Sequence, residues 1–220
     1  MTFRDKKINY KKIYFLGKSK KIISVFSRIF RVKEMEIIPW RDCKNYKFRY
    51  SNLSKKDASI IVVCGYDYKS YWYEYSKYLQ CNILEPLKII NKISNSKTII
   101  FYINTVNNRG NKTYSRYRYA KFLLGEKLSK KFKYFKSISP SVLVNNNGVA
   151  DIYGGLIYKL IFNTLIYMKV IETCNSSELN KMILFSIKKH SNHKLKKIDP
   201  IFLKIRRTLF IDRLLRFIYG

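Results

Sequence analysis

Histidine, acidic residues, paired cysteines and long apolar runs are all scarce in this 220-residue sequence. The two histidines, His190 and His193, stand in "KKHSNHK" with no acidic or cysteine ligand beside them, which argues against a metal centre there. The four cysteines, Cys43, Cys64, Cys81 and Cys174, are widely scattered with no C-x-x-C pair. The N-terminal "MTFRDKKINYKK" is charged and has no apolar core, so it does not read as a secretory signal. Reduced thiols in a cytoplasmic protein are the expectation. No uninterrupted apolar run is long enough to span a bilayer. The nearest, Gly154–Ile171, is broken by Lys159, Asn163 and Lys169, and is expected to pack as a helix largely in the core. Internal repeats and Pro/Gly/Ser-rich linkers are missing too, which points to one main domain.

What is present is a core and a charge. Apolar residues make up 47% of the chain and aromatics 16%, enough for a buried interior and too much for a disordered segment. The 45 basic residues against 14 acidic ones give a formal net charge of +31. Lysine here accompanies abundant isoleucine, asparagine and tyrosine, the set that AT-rich codons supply, so codon usage accounts for part of the charge. A surface of this kind still attracts phosphates, anionic lipid headgroups and nucleic acid. Nucleic acid is the weakest of these partners, because no DNA- or RNA-reading motif is visible and the basic residues are spread rather than striped.

Short β-branched runs alternate with longer helical patterns. "IYFLG" (Ile13–Gly17) predicts a first strand, followed by a helix through "KIISVFSRIF". "MEIIPW" (Met35–Trp40) predicts a second, and "ASIIVVCG" (Ala58–Gly65) is a continuous apolar run of the kind buried in parallel sheets. A helical segment then leads to another buried strand, "KTIIFYINTV" (Lys97–Val106), and to a helix containing Tyr117. "ISPSVLV" (Ile138–Val144) is a weaker strand, with the Gly154–Ile171 helix after it. Alternation of this kind predicts a doubly wound α/β fold: a mostly parallel sheet with helices on both faces. Residues 1–175 form that domain on this reading. Residues 176–220 form a basic helical extension, whose final stretch Ile201–Gly220 is amphipathic and packs on the domain, on a second subunit or on a membrane surface.

Within this frame "YSRYRYAKFLLGE" places Tyr117 and Lys121 four apart on one helical face, with Thr105 near the end of the preceding strand. Tyrosine has an ordinary pKa of about 10, and a neighbouring ammonium favours its phenolate. Tyr114 with Arg118 is an overlapping candidate pair. The Thr105, Tyr117, Lys121 arrangement resembles the short-chain dehydrogenase/reductase superfamily, in particular its extended sugar-nucleotide epimerase/dehydratase branch. The likeness runs from about Ile13 to Val144: "DASIIVVCGYDY" with Cys64 and Gly65 is similar to the strand and turn over the cofactor, and Asn82 to a structural asparagine. The resemblance implies a Rossmann-like fold, NAD or NADP as cofactor, a nucleotide-sugar substrate and a homodimer through the Tyr117 helix. It assigns proton transfer to Tyr117, with Lys121 and Thr105 assisting.

The N-terminal turn departs from that pattern. In "GKSKKII" Gly17 and Ser19 fit a phosphate-binding turn, while Lys20 and Ile23 stand where further glycines are expected. Lysines at a helix N-terminus can hold phosphates by charge instead. Arg41, after the second strand, is compatible with the 2′-phosphate of NADP. The C-terminal region is short for the branch. The expected function is an NAD(P)-dependent epimerase, dehydratase or reductase of surface-polysaccharide biosynthesis. The alternative is a catalytically silent binding or scaffold protein of the same fold at the inner membrane face.

Overall fold

Strands form where apolar residues occupy both parities, because each strand then has two faces to bury. In the computed structural model, which describes residues 10–30, 32–40, 57–104, 112–113, 115–150, 156–188 and 199–200, this pattern produces a five-stranded parallel sheet flanked by helices. In chain order the elements are β1 (Tyr10–Leu16), α1 (Lys20–Ile29), β2 (Val32–Ile38), β3 (Ala58–Val63), a 3-10 turn (Tyr68–Trp72) and α2 (Tyr75–Leu79). A π-helical turn (Gln80–Leu84), α3 (Glu85–Ile93), β4 (Ser94–Ile103), β5 (Lys112–Thr113), α4 (Arg116–Lys131) and β6 (Phe135–Ile138) follow. β7 (Val142–Leu143), α5 (Leu156–Tyr167), β8 (Thr173–Cys174), α6 (Ser176–Lys188) and β9 (Asp199–Pro200) close the series.

The sheet order is β2-β1-β3-β4-β6, every neighbouring pair parallel. Two parallel two-stranded ribbons, β5 with β9 and β7 with β8, stand apart from it. Chain direction across the sheet reverses between β1 and β3, so the C-terminal ends of these two strands open a crevice of the type in which α/β sheets hold ligands.

Alternate residues send β1 into two cores. Tyr14 and Leu16 join α3 and α4 through Ile89, Ile90, Ile93, Leu124 and Leu128. Ile13 and Phe15 join α1 and α6 through Ile22, Val25, Phe26, Leu179 and Ile183. α1 reaches this core because Ile22, Val25 and Phe26 share one face. Phe26 then meets Phe15 edge-on at 6.1 Å and Phe101 at 5.2 Å. Each fully buried aliphatic side chain of β3 contributes roughly 1.5–3 kcal/mol through area removed from water.

Two expectations are corrected. The weaker strand Ile138–Val144 is two separate strands: Ile138 ends β6 in the main sheet, whereas Val142 and Leu143 pair with β8. Pro140 lies between them and lacks the N–H that a continuous ladder requires. The helix within Gly154–Ile171 is α5, and it is not packed largely in the core: Leu156, Leu160, Ile161 and Tyr167 are exposed. No helix among the described residues is long and apolar enough to cross a membrane.

Candidate functional site

Gly17 makes the turn from β1 into α1 at φ +123°, a conformation closed to most side chains. A Cβ there would also lie 2.6 Å from the Gly65 backbone nitrogen. Gly65 is constrained in turn, since a Cβ on it would lie 2.3 Å from the Trp40 ring. The Cys64 and Gly65 N–H groups both donate to the Leu16 carbonyl at 2.9 Å. The ends of β1 and β3 are thus drawn together over the crevice, which brings Gly17, Cys64 and Gly65 side by side.

α1 starts immediately after this turn. Its N-cap, Ser19, makes no side-chain capping bond, and its first turn carries Lys20 and Lys21 with no acidic residue. Two cations at the positive end of a helix dipole are unfavourable, each by roughly 0.3–1 kcal/mol, unless an anion joins them. Lys20 and Lys21 line an open groove of about 520 Å³ together with Asn145, Asn146, Asn147 and Ser176. The Lys21 Nζ atom is buried and has no hydrogen-bond partner among the described residues. Ser176 opens α6, where the Asn175 side chain accepts from the Ser177 and Glu178 N–H groups at 2.8 and 3.0 Å. Burial raises the pKa of the neighbouring Cys174 thiol, Glu178 adds to that rise, and Lys21 opposes it.

Tyr117 and Lys121 sit on α4, which is capped by Ser115 accepting from the Arg118 N–H at 3.3 Å. Lys121 is only 4% exposed, and its Nζ donates to the Ile103 carbonyl at the end of β4, 3.2 Å away. That Nζ lies 6.0 Å from the centre of the Tyr117 ring and 5.4 Å from that of Tyr102. Burial pushes the Lys121 pKa down to about 8, while Cys64 acts in the opposite direction. Cys64 is affected reciprocally: burial raises its thiol, and the Lys121 ammonium and the Ser19 backbone lower it. Lysine and thiol therefore influence one another at the C-terminal edge of the sheet, with the Tyr117 and Tyr102 rings beside the ammonium.

Tyr117 is enclosed by aromatics. Tyr66 meets it edge-on at 4.7 Å, and Tyr68 stacks at 5.9 Å. The segment carrying these tyrosines is fastened from two directions. Arg116, fully buried, places Nη1 3.1, 3.1 and 2.8 Å from the carbonyls of Ser70, Tyr71 and Tyr73, and its guanidinium lies 5.0 Å from the Tyr78 ring centre. Asn82, in the π-helical turn, accepts from the Asp67 N–H at 2.9 Å and from Trp40 Nε1 at 3.3 Å. Its amide donates to Ser70 Oγ and to the Tyr78 carbonyl at 2.8 and 3.1 Å. All four of its hydrogen-bonding positions are used.

Of the predicted site residues, Thr105 and Arg41 lie outside the described residues, as do Tyr114 and the stretch Ile201–Gly220. Sequence reasoning misses Arg116, Tyr66, Tyr68, Trp40, Lys21 and Ser176. Arg116, Tyr66 and Tyr68 are lost among 19 tyrosines and 45 basic residues. The run Asn145–Asn147 did carry a signal, a polar cluster between a strand and a helix. No family model matches this sequence, and no curated protein does.

Proposed function

We propose that this chain is a doubly wound, Rossmann-like protein carrying out NAD(P)-dependent epimerase, dehydratase or reductase chemistry on a nucleotide-linked sugar in the cytoplasm. The observation that carries the reading is the position of Lys121: a buried ammonium on the same helix face as Tyr117, delivered to the sheet edge where β3 and β4 end. Tyr117 holds and returns the substrate proton, and Lys121 biases its hydroxyl toward phenolate by charge. Thr105 is the proposed hydrogen-bond donor to the substrate oxygen. A nicotinamide cofactor, when bound, supplies the hydride chemistry.

The donor set near α1 fits the phosphates of such a cofactor. Lys20 and the buried Lys21 Nζ provide charge at a helix N-terminus, which compensates for the glycines the turn lacks. Gly17, Ser19, Cys64 and Gly65 shape the crevice beside it, and Arg41 is the proposed contact for a 2′-phosphate. A second reading is supported by the packing of Tyr66 and Tyr68 on Tyr117 and by Lys20 and Ile23 in glycine positions. It is a catalytically silent protein of this fold that binds or scaffolds at the membrane surface.

Titration with NAD(H) and NADP(H) by nicotinamide fluorescence, with Lys20→Glu in parallel, separates the readings. Saturable binding that survives moderate salt and falls about tenfold in Lys20→Glu supports the dinucleotide site. Turnover of nucleotide-linked sugars that disappears in Tyr117→Phe then supports the enzyme. Dinucleotide binding without turnover supports the silent protein, and binding that vanishes with salt removes the dinucleotide reading.

A further inference from the structure

We propose that α5 is an interfacial helix that seats this protein on an anionic lipid surface. At 3.6 residues per turn, Leu156, Leu160, Thr164 and Tyr167 project from one side of α5, with Ile161 at its border. Leu156 is 86% exposed, Leu160 66% and Tyr167 89%. Met168 and Val170 extend the same apolar character beyond the helix end. Two polar groups on and near this face already have partners. Thr164 donates its hydroxyl to the Leu160 carbonyl at 3.0 Å, and Asn163 accepts from the Ala150 N–H at 2.9 Å. Monomeric proteins rarely leave large apolar side chains contiguous in water without a partner.

Charge selects the partner. From residue 156 to residue 171 there is no acidic side chain, and the exposed Lys159 and Lys169 stand within and beside the apolar face. A second copy brings the same lysines and a further +31 to the contact, with no carboxylate in the segment to pair with them. An anionic bilayer supplies the missing negative charge at the headgroups and an apolar phase beneath them. Lysines on flexible stems reach back to the phosphates while leucine and tyrosine enter the boundary. A helix of 12 residues is about 18 Å long, too short to span a bilayer and long enough to lie along it. The contact is independent of the chemistry proposed above.

The full-length protein is sedimented with phosphatidylcholine vesicles containing about 30% phosphatidylglycerol, at low salt and at about 0.5 M salt. The wild type is expected to remain bound at high salt. Leu160→Asp/Tyr167→Asp is expected to lower partitioning about tenfold or more, since withdrawing each large apolar side chain from the lipid is worth on the order of one decade. Lys159→Glu/Lys169→Glu should weaken binding chiefly at low salt. In a second measurement, the indole introduced by Tyr167→Trp should be quenched by brominated lipid beyond the level set by the native Trp40 and Trp72. Binding that is abolished by salt and unchanged in the aspartate variant, or no added quenching in Tyr167→Trp, overturns the proposal. So does a dimer in light scattering that the aspartate variant converts to monomer, because the occupant is then a second copy.

Discussion

Replacing Lys121 with methionine tests whether its ammonium is held in a desolvated place. A lysine whose pKa falls from 10.5 to about 8 is destabilising while protonated, by roughly 3 kcal/mol at neutral pH. The sign follows from proton counts. Between about pH 8 and 10.5 the unfolded chain binds the proton more tightly than the folded one, so this group makes stability rise with pH across that window. Methionine keeps most of the stem, carries no charge and forfeits the bond to the Ile103 carbonyl, a loss of about 1 kcal/mol. Lys121→Met is therefore expected to be more stable than wild type by about 2 kcal/mol near pH 7. That advantage should shrink by about 2 kcal/mol on going to about pH 10. Urea unfolding followed by circular dichroism, on both proteins across this range, gives the difference directly, and subtraction cancels the opposing contribution of Tyr102, whereas the Cys64 thiol rises further once the Lys121 ammonium that lowers it is gone. A variant less stable than wild type by the same amount at every pH would refute the reasoning. In the same variant turnover should be lost, so stability and activity move in opposite directions, as they do where a site is built on a buried charge.

Gly17→Ala combines a left-handed φ with a Cβ 2.6 Å from the Gly65 nitrogen, and is expected to cost several kcal/mol, read as a lowered Tm or loss of cooperative melting. Arg116→Met leaves the carbonyls of Ser70, Tyr71 and Tyr73 without their shared donor and should destabilise by about 3 kcal/mol in urea. Lys169 occupies the left-handed position of the turn that ends α5, where the Val170 N–H bonds to Leu165 and its own N–H to Ile166, both at 2.9 Å. Glycine suits that position, so Lys169→Gly should stabilise by about 1 kcal/mol in thermal melts.

The strands β1, β3 and β4 were legible because their doubly buried stretches, Ile13–Leu16, Ala58–Val63 and Ile99–Ile103, are almost wholly apolar, and such runs are rare by chance. Gly17 was singled out by its place between a strand and a helix, and the structure adds the reason for glycine there: φ +123° and no room for a Cβ. What joins the site together was not. Arg116 and the Ser70–Tyr73 segment meet across more than 40 residues of sequence, and each is an ordinary member of an abundant class. Only folding makes the contact, so no local pattern announces it.

α5 exposes a deeper limit. Its residues are apolar on nearly all sides, which in sequence reads as a core helix, and the structure leaves one of those sides bare. Both facts follow from one physical requirement. The hydrophobic effect fixes that these side chains prefer to leave water, and it is non-directional about where they go. Periodicity can therefore show that a surface seeks cover without naming the cover. The missing discriminator is electrostatic. A helix destined for the interior gains nothing from Lys159 and Lys169 in water-facing positions, whereas one destined for an anionic interface is oriented by them. Charge placement along an apolar segment is consequently the better guide to which phase receives it.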